Sequence, residues 1–178
     1  MEIQRSDPQS QSPTTTRSQT LPSPESLLAT AKSYLNVFTT LNASTIAHIQ
    51  TSDYTHEFAP QSTNPPGLLS RAEFADFVSH LRSVIHDFKV TAREIWPNPS
   101  LRQVVIRADS APAFRDEVKD GEDEDEWTYR GEYISILTFD QKREKVSRAL
   151  EFVDSKGTDR VKALIARAWA KKESLERK

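Results

Sequence analysis

Histidines, carboxylates and phenols carry what chemistry this chain has, because it contains no cysteine. That absence removes a thiol nucleophile, a disulfide scaffold, a zinc ribbon and an iron–sulfur centre. The strings G-x-S-x-G, H-E-x-x-H, the P-loop and G-x-G-x-x-G do not occur. The four glycines, at 67, 121, 131 and 157, are too scattered to cradle a phosphate. Residues of the right type include His56 within Tyr54-Thr55-His56-Glu57-Phe58, Tyr133 in the stretch from Trp127 to Phe139, and Glu151 between Lys145 and Val153, though type and spacing alone do not select them. An imidazole, a phenol and a carboxylate together are the parts of general acid–base catalysis. Each also has a plainer role open to it. His56 fits a hydrogen-bonded core or pocket histidine, Glu151 a structural ion pair with Arg130 or Arg107, and Tyr133 a cavity wall. His80 and His86 read as ordinary helix residues. No spacing among His56, His80 and Glu151 favours a metal site, and none is expected.

The elements that must position these residues can be read from periodicity. Pro24, Glu25 and Ser26 open a helix carrying Leu27, Leu28, Ala31, Tyr34, Leu35, Phe38 and Leu41 at helical spacing. Asn42 or Ser44 caps a short second helix, Ala43 to Gln50. The stretch around His56 is extended and is closed by Pro60 and the turn Asn64-Pro65-Pro66-Gly67. Ser70 caps a third helix, with Glu73 at the capping-box position and Phe74, Phe77, Val78, Leu81 and Ile85 as its apolar stripe. The period then changes from 3.6 to 2. Strands are expected over 88–96, 101–108, 127–139 and 145–153, and a final helix over about 158–176, with Asp154 capping the turn into it. The order α-α-β-α-β-β-β-β-α, with short turns between strands, predicts an α+β domain with an antiparallel sheet.

Composition bounds the rest. The 178 residues, 36% apolar and 28% charged with a net charge of −2, suit one globular domain. Residues 1–24 stand apart: Ser, Thr, Pro and Gln fill 17 of those positions. A disordered tail is expected there and a domain over 25–178. No apolar run approaches the ~20 residues of a membrane span, and MEIQRSDPQS has no apolar signal core. The chain therefore reads as cytoplasmic, without membrane contact. Residues 116–126 hold eight acids and one lysine, leaving +5 for the remainder. Such charge reads as a solvated hairpin loop and argues against nucleic acid, which needs clustered Lys and Arg.

The element order, with the runs His56-Glu57-Phe58-Ala59-Pro60, Trp127-Thr128-Tyr129-Arg130-Gly131-Glu132-Tyr133 and Glu151-Phe152-Val153-Asp154, resembles the NTF2-like, or SnoaL-like, superfamily over about residues 26–170. More narrowly these runs look like small isomerases and cyclase-like proteins of fungal meroterpenoid and xanthone biosynthesis. The resemblance implies a cone: a bent antiparallel sheet with helices on its concave face around an apolar cavity. It implies proton-transfer chemistry without a cofactor, on a small-molecule substrate derived from a polyketide or terpenoid, and a homodimer through the outer sheet face. Ile134 and Ile136, opposed in parity to Tyr133 and Leu137, fit such a face.

Aligned with similar ketosteroid isomerases, Glu151, Val153, Tyr133, Ser135, Leu137, His56 and Phe58 point inward. Phe58 stands where those enzymes carry their aspartate base, and Ser135 replaces their acidic donor, so their mechanism does not carry over. The resemblance leaves His56 and Glu151 to exchange protons and Tyr133 to donate to an oxyanion. Tyr34, Phe38, Phe58, Phe77 and Ser135 are expected to contact substrate. The competing reading is a non-catalytic binding or interaction module of the same fold.

Overall fold

The computed structural model describes residues 23–121, 123–142 and 144–177. Of the expected tail only Ser23 and Pro24 fall within them, and these two start the first helix. α1 spans Pro24–Thr40. Pro24 sits in its first turn, where no N–H is needed, and the Ser23 hydroxyl accepts from the Ser26 amide at 3.3 Å. The stripe Leu27, Ala31, Tyr34, Leu35 and Phe38 is buried. Leu41, in the left-handed region at φ 46°, ends the helix.

A short turn at Ala43–Thr45 and α2 (Ile46–Ile49) lead into β1, Gln50–Ala59. β2 is the two-residue Leu69–Ser70, and α3 covers Arg71–Arg82. At the start of α3 the Ser70 hydroxyl accepts from the Glu73 amide while the Ser70 amide donates to the Glu73 carboxylate at 2.8 Å, a reciprocal capping box. β3 (Ile85–Asn98), β4 (Gln103–Phe114), β5 (Gly131–Phe139), β6 (Val146–Val153) and α4 (Ser155–Glu176) follow. Asp154 caps α4, accepting from the Lys156 and Gly157 amides at 3.2 and 3.0 Å.

The six strands form one curved sheet in the order β2-β1-β6-β5-β4-β3. α1 packs against β3 and α3 against β1. The core gathers Phe74, Ile106, Leu137 and Phe139 with the α1 stripe; each fully buried side chain of this size contributes roughly 1.5–3 kcal/mol. No described helix is long and apolar enough to cross a membrane.

Two expectations need correction. The sheet is mixed, because β1 and β6 pair in parallel. The chain leaves β1, builds α3 and β3 to β5, and returns beside β1 in the same direction. The strand expected from Trp127 begins at Gly131, because Trp127 sits in a 3₁₀ turn (Glu124–Trp127), with its indole edge-on to Phe114 and beneath the Arg167 guanidinium. The acidic segment is, as expected, a solvated connection between antiparallel β4 and β5, and it carries local structure besides. It folds into two 3₁₀ turns around buried Val118 and is tied to α4 by the ion pairs of Arg167 with Asp120 and Glu126.

Candidate active site

Strand alternation places the site. β6 buries Ala149, Glu151 and Val153, and β5 buries Tyr133, Ser135 and Leu137. The register sets Ser135 of β5 and Phe58 of β1 on either side of Glu151, and Tyr133 beside Val153. These side chains face a cavity of about 340 Å³, within the range of small-molecule sites. Its walls are mostly apolar, with Phe38, Phe58, Phe77, Phe88 and Trp169 prominent. α4 closes one side through Thr158, Val161, Lys162 and Ile165. The Lys162 ammonium donates to the carbonyls of Thr63 and Asn64, fastening α4 to the loop after β1.

Glu151 is the carboxylate of this cavity, and behind it stands His56. His56 Nε2 lies 3.5 Å from Glu151 Oε2. That is close enough for charge pairing but longer and less well aligned than a formed hydrogen bond. Such contacts commonly tighten when ligand enters. The imidazole is fully buried, stacked on Phe74 at 4.5 Å between centroids and tilted against Phe58 at 4.2 Å. Its Nδ1 meets the Tyr54 hydroxyl at 2.8 Å and the Tyr34 hydroxyl at 3.2 Å, and the two hydroxyls are 3.0 Å apart.

Tyr133 heads a second cluster. Ser110 Oγ donates to its hydroxyl at 2.7 Å, and the Tyr129 hydroxyl lies 3.2 Å away. Two glycines make room for Tyr129: a Cβ at Gly131 would overlap its hydroxyl, and one at Gly157 would come within 3.2 Å of it. All four tyrosines are pushed above the ordinary phenol range. Burial is the main cause in each case, and the negative charge of Glu151 adds to it in all four. All four hydroxyls therefore stay protonated at neutral pH.

No family model matches the chain, and no curated protein matches it by sequence. Solved structures do match in shape. BvnE pinacolase from Penicillium brevicompactum superposes with a TM-score of 0.66 at 21% identity, over 82% of this chain and 96% of that one. PrhC from Penicillium brasilianum gives 0.68 at 15%, over 84% and 91%. AusH from Aspergillus nidulans gives 0.63 at 20%, over 75% and 87%. The chain has the NTF2-like fold.

Within this NTF2-like cone the expected site residues separate into two shells. Glu151, Tyr133, Ser135, Phe38, Phe58 and Phe77 line the cavity. His56 and Tyr34 do not. Phe58 and Phe74 cover the imidazole, and the Tyr34 hydroxyl turns away to His56 and Tyr54. Tyr34 is therefore not a wall of the pocket, because its hydroxyl is spent on a buried network. Glu151 pairs with neither Arg130 nor Arg107; Arg107 bonds Glu94 and Glu132. His80 stacks on Trp169 at 4.1 Å. Among the described residues no metal-ligand cluster forms. Tyr54, Tyr129 and Ser110 escaped the sequence reading. Tyr54 shares the strand parity of His56, and Tyr129 that of Tyr133 within the expected strand, so both were findable by that signal; Ser110, beyond the expected strand 101–108, carried none.

Proposed function

We propose that the protein is a cofactor-independent isomerase or cyclase that works by proton transfer on an apolar intermediate of polyketide or terpenoid origin in secondary metabolism. One observation carries this reading: a largely apolar cavity holds a carboxylate, Glu151, and a phenol, Tyr133, on the same sheet face. The Glu151 carboxylate takes a proton from the carbon next to a substrate carbonyl. Tyr133 donates a hydrogen bond to the enolate oxygen as charge builds there. Glu151 then returns the proton to the far carbon of a conjugated dienolate, which moves the double bond, or the enolate carbon attacks a second carbonyl carbon of the same molecule, whose π bond opens onto an oxygen that takes the proton back from Glu151 as the ring closes. The apolar walls keep water from competing for the enolate. His56 acts through Glu151, since it does not reach the cavity. That a similarly folded protein is described as a pinacolase supports rearrangement chemistry.

The convex sheet face supports a homodimer. Register rows place Trp96, Val105, Ile136 and Leu150 in one line and Ile134 and Phe152 in the next. Trp96, Ile134 and Phe152 are about half exposed, at 46%, 46% and 53%. Sedimentation should give twice the 20.2 kDa chain mass, and Phe152→Glu should give the single chain.

The catalytic proposal is tested with 2-tetralone, an apolar bicyclic ketone with acidic protons, in D₂O. The protein should speed exchange of those protons for deuterium, and the ketone should compete with other apolar ligands for the cavity. Binding without accelerated exchange would assign the cavity to passive ligand capture instead.

A further inference from the structure

The structure assigns Tyr34 and Tyr54 as positioning residues that lock His56 in a single tautomer, with its proton on Nε2 and aimed at Glu151. The inference rests on the reading of Glu151 as the proton carrier, and it adds how that carboxylate is held.

The argument is a count of hydrogens along a buried chain. Tyr34 and Tyr54 are 1% exposed and His56 is 0% exposed, so water does not settle the direction of their hydrogen bonds. Each phenol has one proton to give, and burial together with the Glu151 charge keeps both protons in place. The Tyr34 hydroxyl contacts Tyr54 and His56 Nδ1 and has no other hydrogen-bond partner among the described residues. It ends the chain.

If Tyr34 donates to Tyr54, Tyr54 donates to Nδ1 and every hydrogen is used. If Nδ1 carries the proton, the chain runs the other way. Nδ1–H then donates to Tyr54 and Tyr54 donates to Tyr34, and the Tyr34 proton has no acceptor in a fully buried site. The first direction wins, so Nδ1 accepts and the ring proton sits on Nε2. That nitrogen faces Glu151 Oε2 at 3.5 Å. A lone pair there would repel the carboxylate, whereas an N–H attracts it. Both ends of the ring give the same answer.

The charged and titratable groups around the imidazole are few. β1 supplies Tyr54, α1 supplies Tyr34 and β6 supplies Glu151, while α3 presents the uncharged ring of Phe74. The chemical consequence follows from the tautomer. An imidazole that already holds its proton on Nε2, with Nδ1 occupied by a donor, cannot relieve Glu151 of a second one. His56 orients the carboxylate and does not exchange protons with it. Glu151 must then deliver back to the substrate the proton that it removed.

Long-range ¹H–¹⁵N spectra of the full chain at pH 8 test this without any substrate, so the test can fail while the proposed reaction stands, and the reverse. The His56 signals are those missing from His56→Gln. The expected pattern is a protonated, pyrrole-type Nε2 and an unprotonated, pyridine-type Nδ1. Glu151→Gln is the discriminating variant. A carboxamide can accept from Nε2–H or donate to a bare Nε2, so it allows either tautomer. If the tyrosine chain sets the direction, the pattern is unchanged in Glu151→Gln. In Tyr34→Phe, Tyr54 becomes the end of the chain and its proton still has only Nδ1 to bond, so the pattern should persist. Adding Tyr34→Phe and Tyr54→Phe to Glu151→Gln, which removes both donors and the carboxylate, should produce a mixture of tautomers. An Nδ1–H tautomer in the native protein, a switch of tautomer in Glu151→Gln, or a pure Nε2–H tautomer that persists when both phenols are removed from Glu151→Gln would each overturn the assignment.

Discussion

The acidic segment 116–126 and Glu151 use the same functional group to opposite ends. Among the described residues of the segment, Lys119 bonds Asp116 at 2.9 Å and Glu124 at 2.8 Å, and Arg167 bonds Asp120 and Glu126 while lying 4.8 Å over the Trp127 ring. Arg160 adds a bond to the Thr128 carbonyl at 3.0 Å. Lys119 and Arg167 are each shared by two carboxylates at the surface, where water and salt weaken every pair. Together these contacts fasten a loop to α4. Glu151 has one close ionisable partner, His56, and lies against the apolar cavity wall. With little water to screen it, its charge is felt by all four tyrosines. The density of acids along a sequence therefore marks where charge is cheap to solvate. A single acid on the buried parity of a strand marks where charge can act.

Breaking the buried side of this comparison should cost most. His56→Ala removes a packed ring, strands the Glu151 carboxylate and leaves the Tyr54 proton without an acceptor. A loss of about 3–5 kcal/mol is expected, read by denaturant unfolding. Gly131→Ala should cost about 1–3 kcal/mol, since the new methyl must displace the buried Tyr129 hydroxyl; near-ultraviolet dichroism would report the moved phenol. Asp154→Ala, which uncaps α4 at the edge of the cavity, should cost about 1 kcal/mol in the same unfolding assay.

The exposed side should respond least. Arg167→Gln should shift thermal unfolding slightly at low salt and not measurably in high salt. It should also change the acid profile. Arg167, through its hydrogen bonds, holds the Asp120 carboxyl below its ordinary value in the folded state. The stability linked to Asp120 is thus present above its unfolded pKa, near about pH 4, and is lost as pH falls through the lower folded value. Arg167→Gln should remove that part of the acid dependence. A large effect at neutral pH would show that the clamp, rather than the cavity, holds α4 in place.

Much of this contrast was readable before the structure. Alternation alone put Glu151 with Val153, Tyr133 with Ser135 and Leu137, and His56 with Phe58, because a strand has only two faces. The caps Ser70–Glu73 and Asp154 were readable because their chemistry is local. What stayed hidden was nonlocal. The parallel pairing of β1 with β6 joins residues about ninety positions apart, such as Phe58 and Glu151. Tyr34, 22 residues before His56, reads as one more aromatic on a buried stripe until its hydroxyl is seen on Nδ1. The early start expected for β5 failed at Trp127, whose aromatic and basic neighbours, Phe114 and Arg167, come from β4 and α4. The burial of His56 behind Phe58 and Phe74 depends on how α3 docks, which no strand period encodes.

The most direct measurement takes both quantities from one variant: deuterium exchange into 2-tetralone per folded molecule, and unfolding free energy, for Glu151→Gln beside the native chain. Exchange should fall by about 10²–10⁴-fold, the usual worth of a positioned proton-transfer group. Stability should hold or rise, because a neutral amide is easier to bury than a carboxylate. Unchanged exchange per folded molecule together with a clear loss of stability would contradict the account and leave Glu151 as a structural partner of His56.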